Sequence, residues 1–200
     1  YKNLVKKEKT FEGKMFLYLV IATIPGGMIG FLLDHFFGDS LEKPLIIACA
    51  LIVMGIVFYL VDKYSKSIVK YEDMSLKQTF LIGLSQALAF IPGVSRSGIT
   101  ITTARAMGVE RESAARFSFM LSAPIVFGAT ILKMKDFKEL LIPGKFILFQ
   151  PFVIGVFLSF LVGIIVIKFL LDYLKKGSYK GFAIYRVLFG IAILVKLLWF

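Results

Sequence analysis

The run Pro92-Gly93-Val94-Ser95-Arg96-Ser97-Gly98-Ile99-Thr100 is where this sequence is equipped for chemistry. Its glycines can expose backbone N–H groups, its serines and threonine offer hydroxyl donors, and Arg96 brings a planar guanidinium fork. All of these suit a phosphate. The run interrupts apolar sequence. Thr79–Ile91 carries no charge, and Ile99–Met107 is apolar and threonine-rich apart from Arg105. Backbone that leaves the helix at membrane depth must be buried in protein or line a polar cavity, because lipid cannot satisfy free N–H and C=O groups. An arginine at that depth marks a functional site by default. A structural ion pair is the alternative for Arg96, but no Asp or Glu lies between Met74 and Val109.

The other candidates follow from this break. Ser95, Ser97 and Thr100 suit helix caps. Capping is compatible with anion binding, because the N-terminus of a half-helix starting near Gly98 offers free N–H groups and a positive dipole end. Gly93 and Gly98 let the backbone approach a ligand without a Cβ in the way. Gln86, six residues before Pro92, either bridges neighbouring helices or serves the site. Arg105 and Arg116 flank a loop containing Glu110, Arg111 and Glu112, so local ion pairs and snorkelling are expected of them. Lys168 and Lys196 can snorkel from near their helix ends. Arg186 lies deeper, yet four residues beyond Phe182 it can still reach the interface. His35, in the acidic run DHFFGD, reads as solvated.

Composition places these residues in a bilayer. The 200 residues are 58% hydrophobic and 18% charged, with mean hydropathy +0.83, well beyond a soluble domain. The net charge of +11 does not point to nucleic acid. The lysines sit mostly in short loops between apolar runs, where cytoplasmic-side topology and anionic headgroups account for them. Cys49 is alone, which rules out an intrachain disulfide, and its apolar surroundings predict a small packed residue. No GxxxxGK[ST] is present, so the phosphate site is not a nucleotide P-loop. Nor is there an HExxH or a second histidine, which excludes a zinc site of that type and a two-histidine lipid phosphatase.

Five segments are long and apolar enough to cross a bilayer: Met15–Leu33, Leu45–Val61, Phe117–Leu132, Ile147–Leu171 and Phe182–Phe200. The third is short and carries Pro124, so tilt or a kink is expected. Residues 78–107 differ, as two short apolar halves joined by the polar break, the pattern of a re-entrant hairpin or discontinuous helix. The predicted fold is an all-α polytopic helix bundle, a single membrane domain over residues 1–200 with two spans at 15–61 and three at 117–200. Gly26 and Gly30, at GxxxG spacing, predict close helix packing. Five lysines in Tyr1–Lys14 and four in Asp62–Lys77, against Lys43 alone in Asp34–Pro44, put the first and third loops in the cytoplasm and Asp34–Pro44 outside. The rule leaves the sidedness of the second half open. Tyr1–Lys14 reads as an internal loop of a longer protein and not as a signal peptide.

The run from Gly83 to Thr100, GLSQALAFIPGVSRSGIT, strongly resembles the undecaprenyl-diphosphate phosphatase family of the bacitracin-resistance type. The likeness continues through Met107-Gly108-Val109, Ala114–Phe119, Ala123-Pro124, Gly128-Ala129 and Phe182–Arg186. That resemblance implies two inverted-topology halves whose re-entrant loops meet in a cavity of a bacterial plasma-membrane enzyme. The activity it implies is removal of the terminal phosphate of undecaprenyl diphosphate, which recycles the lipid carrier for peptidoglycan precursors and confers bacitracin resistance. It assigns diphosphate binding to Ser95, Arg96 and Thr100, with Arg96 essential; Ser97, Gly93, Gly98 and Gln86 are the further substrate-binding candidates read from their types and positions. It also implies Mg2+ or Ca2+ as cofactor; membrane lipid is the expected surroundings, and a homodimer is the assembly to test. The family's other motif, a glutamate-rich helix followed by a PVSSTGH-like loop, has no counterpart here. The metal ligands are expected in that N-terminal part, without which this segment alone is expected to be inactive. Gln86 looks like the second-repeat counterpart of one family glutamate, but an amide cannot act as a general base. The competing class is a non-catalytic transporter or flippase of phosphate-bearing prenyl lipid, since broken helices and inverted repeats fit transporters as well.

Overall fold

The computed structural model describes residues 11–140 and 149–199. Among them the architecture is all-α, with seven α-helices: α1 (Phe11–Leu41), α2 (Pro44–Tyr64), α3 (Leu76–Ser85), α4 (Arg96–Ala106), α5 (Arg111–Leu140), α6 (Phe149–Leu174) and α7 (Lys180–Trp199). Five of these contain a stretch long and apolar enough to cross a membrane: Glu12–Gly30, Pro44–Tyr64, Arg111–Ile131, Pro151–Leu174 and Lys180–Trp199. These are the five spans expected from hydropathy. The third begins six residues earlier than predicted, because only Met107–Glu110 separate α4 from α5. Ile147, Leu148 and Phe200, at the predicted ends of the last two spans, lie outside the described residues.

The predicted Asp34–Pro44 loop is a correction. Helix α1 continues to Leu41, and α2 starts at once with Pro44 in its first turn. Proline there costs no hydrogen bond, since that N–H has no partner within the helix anyway. The side chain of His35 lies outside the described residues.

Residues 78–107 form the interrupted unit that their sequence predicts. Ser75 caps α3 with a reciprocal capping box, its Oγ accepting from Gln78 N while Gln78 Oε1 accepts from Ser75 N. A 3-10 turn, Gln86–Phe90, leads to the break. The break is shorter than expected, because helix resumes at Arg96 and not near Gly98. The chain then doubles back, and Gln78 Nε2 donates to Met107 O at 3.3 Å. Beside that junction Val69 N donates to Gly108 O at 3.0 Å and Glu110 N to Val69 O at 2.9 Å. The two ends of the unit therefore lie together, with Pro92–Ser95 at the opposite, tip end.

Close backbone contact holds the helices around this unit. A Cβ on Gly83 would collide with the backbone of Ala22, and one on Gly26 would stand 2.5 Å from Gly83 O. The α1–α3 seam therefore needs both glycines. Gly30, predicted to share this role, faces open space. The α2–α7 seam is similar, since a Cβ on Gly190 would sit 2.9 Å from Ala48 O. Helix α2 buries Ala48, Gly55, Phe58 and Asp62, one helical face. Cys49, one position round from Ala48, is exposed. That corrects the expectation of a packed residue: an apolar neighbourhood in sequence does not fix which way a helical residue points.

The predicted local pairing of Arg105 and Arg116 is also overturned. Arg105 is fully buried, and its Nε donates to Asp62 Oδ1 at 3.1 Å. Arg111 Nε donates to the same oxygen at 2.7 Å, while Asp62 Oδ2 accepts from Tyr179 N at 3.2 Å. Arg105 further donates to Ser67 Oγ at 2.8 Å and to the carbonyls of Ser65 and Val109. Arg116 faces exposed Glu72 at 3.9 Å and stacks over the Tyr71 ring. Tyr179 Oη donates to Arg111 O at 2.8 Å. Burial above all, then the nearby Asp62 charge, raises the Tyr179 phenol far above its ordinary range, so it remains a donor. One carboxylate, 4% exposed, thus gathers α2, α4, α5 and the start of α7. Removing one partner of a buried ion pair costs roughly 3–5 kcal/mol, because it strands the other charge. Asp62→Ala is expected to lower the thermal unfolding midpoint in detergent sharply, whereas Glu72→Ala, at the exposed pair, is expected to leave it nearly unchanged.

Candidate functional site: the turn before α4

The tip of the hairpin is built around an unusual backbone. Gly93 has φ +94°, and Ser95 has φ +70°, the one non-glycine with positive φ among the described residues. Ser95 is the N-cap of α4, and its Oγ accepts from Gly98 N at 3.3 Å. That bond satisfies one of the N–H groups a helix start leaves unpaired and leaves the remaining first-turn amides aimed outward. Gly93 has a second reason to lack a side chain, since a Cβ there would stand 2.6 Å from Ile47 O of α2.

A cavity of about 240 Å³ opens beside this turn, and Ser95, Ser97, Gly98 and Arg186 line it. Its other walls are apolar or aromatic, among them Phe58, Phe119 and Tyr185. The structure therefore brings three of the predicted site residues together with Arg186, whose place here the sequence did not settle. Arg186 Nη2 donates to Gly93 O at 2.6 Å and to Val94 O at 2.9 Å. No spacing near α7 pairs Arg186 with residues more than ninety positions earlier; its depth in an apolar helix and its place in the Phe182–Arg186 stretch of the resemblance were the hints.

The other candidates lie elsewhere around the turn. Arg96, in the first turn of α4, is half-buried and has no ion pair or side-chain hydrogen bond among the described residues, and its side chain is not part of the cavity wall. Thr100 is 1% exposed; its hydroxyl lies 2.7 Å from Ser118 Oγ of α5 and 2.9 Å from Arg96 O, to which it donates. That contact pins α4 against α5. Gln86 is buried against α1, where a Cβ on Gly26 would approach its Nε2 to 3.0 Å, and that Nε2 has no partner among the described residues. Gly93 does not line the cavity, and its carbonyl accepts from Arg186 Nη2.

The donor set is cationic and hydroxylic. No carboxylate lines the cavity, and no group of three His, Cys, Asp or Glu able to hold a metal occurs among the described residues. Hard divalent cations take oxygen ligands, carboxylates above all. The Mg2+ or Ca2+ expected from the resemblance therefore finds no seat in these residues. Helix-start amides, hydroxyls and the Arg186 guanidinium are instead the kinds of donor that suit an anion.

These features define a class: a polytopic, all-α membrane protein whose broken hairpin presents a helix start beside a cavity lined by hydroxyls and a guanidinium. Comparison with known proteins then gives the family. The family of the bacitracin resistance protein BacA matches residues 1–192, and the chain belongs to it. An undecaprenyl-diphosphatase of Desulforudis audaxviator is 47% identical over 186 residues, covering 93% of this chain and 69% of that protein. One from Pelotomaculum thermopropionicum is 46% identical over 193 residues, covering 96% and 71%. A third, from Moorella thermoacetica, is 42% identical over 188 residues, covering 94% and 69%.

The Ser95 backbone yields a test. A side chain held at such a φ costs on the order of 1–3 kcal/mol, and loss of a serine cap about 1 kcal/mol, but only a few tenths when glycine replaces it. Ser95→Gly is therefore expected to raise the unfolding midpoint and Ser95→Ala to lower it, as read by thermal melts of the purified variants.

Proposed function

We propose that the protein hydrolyses undecaprenyl diphosphate to undecaprenyl phosphate and inorganic phosphate, recycling the lipid carrier for cell-wall synthesis and conferring bacitracin resistance. Membership of the family carries this reading, together with relatives that bear the name undecaprenyl-diphosphatase over nearly the whole of this chain. The turn supplies a physical rationale. Charge-neutralising donors stand beside a cavity with apolar walls, a pairing suited to a lipid with an anionic head.

In this reading water attacks the terminal phosphorus, the bond to the bridging oxygen breaks, and the lipid monophosphate leaves with the electron pair. Negative charge grows on the bridging oxygen and on the terminal phosphoryl oxygens. Fixed donors aimed at that charge lower the barrier without reorganising during the reaction. Arg96 and the α4 amides would bind the diphosphate and neutralise this charge, with Ser95 and Ser97 orienting it. Thr100 would hold the helix in place, and Gln86 would border the site from the 3-10 turn before the break. The metal proposed for the reaction would be held by residues other than those described, and would supply Lewis acidity when bound.

The proposal extends to topology. Helices α3 and α4, 10 and 11 residues long, span roughly half of a hydrocarbon core at 1.5 Å per residue. Their meeting ends at Gln78 and Met107 support a re-entrant hairpin entering and leaving on one side. An inverted-repeat architecture, residence in the bacterial plasma membrane and a homodimer belong to the same proposal.

Phosphate release from undecaprenyl or farnesyl diphosphate, by the protein as its full gene encodes it, tests the activity. Arg96→Ala is expected to reduce release by at least about 10²–10³-fold, the usual loss for one such donor, with an unchanged unfolding midpoint. Near-normal turnover would remove Arg96 from the mechanism. Movement of the lipid across vesicles without phosphate release would instead support a flippase.

A further inference from the structure

Arg186 is the second arginine of this region, and its surroundings differ from those of Arg96. It lies in the second turn of α7, within a membrane-length apolar helix. A cation there requires a partner, and no carboxylate pairs with it among the described residues. Its partners are two carbonyl oxygens of the turn, Gly93 O at 2.6 Å and Val94 O at 2.9 Å, both accepting from Nη2. One end of the guanidinium is thus fixed. Nε is buried and has no partner among the described residues. Nη1 comes within 3.1 Å of the place a Cβ on Gly98 would occupy, so the absence of a side chain at Gly98 leaves it room. Ser95, Ser97 and Gly98 line the same cavity as Arg186.

We propose that Arg186 is a substrate-binding residue of this site: anchored by Nη2 to the carbonyls of Gly93 and Val94, it presents Nη1 to the oxygens of a diphosphate bound at the start of α4. The inference rests on the hydrolase reading for its substrate, though the anion chemistry alone fixes the ligand class. A guanidinium suits this double duty. Its donors diverge in one plane, so it can hold backbone oxygens on one edge while offering N–H groups on another. Anchoring removes rotamer freedom before the ligand arrives, which lowers the cost of binding. The charge is also undiluted, because carbonyl partners orient the guanidinium without neutralising it. Lysine cannot do both at once, since its three donors radiate from a single nitrogen.

The test uses the protein as its full gene encodes it, with Arg186→Gln and Arg186→Lys. Two readouts are needed: kcat and KM on farnesyl diphosphate, and the rise in unfolding midpoint on adding inorganic pyrophosphate. Ligand binding to the folded state alone produces that rise. Arg186→Gln is expected to lose about 100-fold or more in kcat/KM and to lose the pyrophosphate-induced rise, while melting near the wild type without ligand. Arg186→Lys, which keeps the charge but not the fork, is expected to recover part of both, to within about tenfold of the wild type. If Arg186→Gln cannot be folded, the lysine variant carries the test: a lower pyrophosphate affinity supports the proposal, and an unchanged one overturns it. A folded glutamine variant with wild-type kcat/KM and pyrophosphate response likewise overturns it. So does loss of activity in strict proportion to loss of folded protein, which assigns Arg186 a structural role only. If the wild type releases no phosphate at all, the hydrolase reading fails, while the pyrophosphate melts still decide whether Arg186 belongs to an anion site.

Discussion

The carboxylate of Asp62 is the contact on which the arrangement of helices depends. It sits in the last turns of α2 and receives Arg105 from the end of α4, Arg111 from the start of α5 and the backbone amide of Tyr179 just before α7. Two cations against one buried carboxylate leave positive charge in excess, and the carbonyls of Ser65, Lys66 and Val109 take up the remaining N–H groups of Arg105. A buried pair of this kind adds little net stability over an apolar contact, but it punishes any packing that separates its members. It therefore selects the register in which four helix ends meet, and with it the direction in which α4 and α7 leave that point.

From there α4 and α7 run alongside α2 and bring the hairpin tip next to Arg186. The two arginine systems divide the labour. Arg105 and Arg111 fix the base of the unit; Arg186 fixes its tip. Between them Thr100 and Ser118 hold α4 to α5. A turn with two positive-φ residues within three positions is a poor candidate for spontaneous order. Its conformation is imposed from outside, by hydrogen bonds to its carbonyls and by the closeness of α2 at Gly93. Such an over-determined loop is what electrostatic preorganisation requires, because donors that must not move during a reaction have to be held by something other than the ligand.

The sequence made much of this legible, for local reasons. Membrane-length helices declare themselves by uninterrupted apolar length, and the interrupted unit by its glycines, proline and serines within an uncharged stretch. Ser95 as a cap was readable because capping acts over three residues. The unreadable part is long-range. Arg105 and Asp62 are 43 positions apart and Arg186 lies more than ninety beyond the turn it holds, so no periodicity or spacing links them, and nearby Glu110 and Glu112 were misleading partners. Rotation about a helix axis was equally hidden. Gly26 and Gly30 share a motif, yet only Gly26 meets another backbone, and Cys49 faces outward although its neighbour Ala48 is buried.

The hydrogen bonds that join Val69 to Gly108 and Glu110 run between main-chain atoms. Main-chain donors and acceptors are the same whichever amino acids occupy the positions, proline apart. At Val69 and Glu110 the mouth of the hairpin can therefore drift in residue type over evolutionary time without coming unfastened, whereas Gly108, at φ +81°, favours glycine. Diversity among distant relatives is accordingly easier to accommodate there than at Asp62, where the fastening is a side chain.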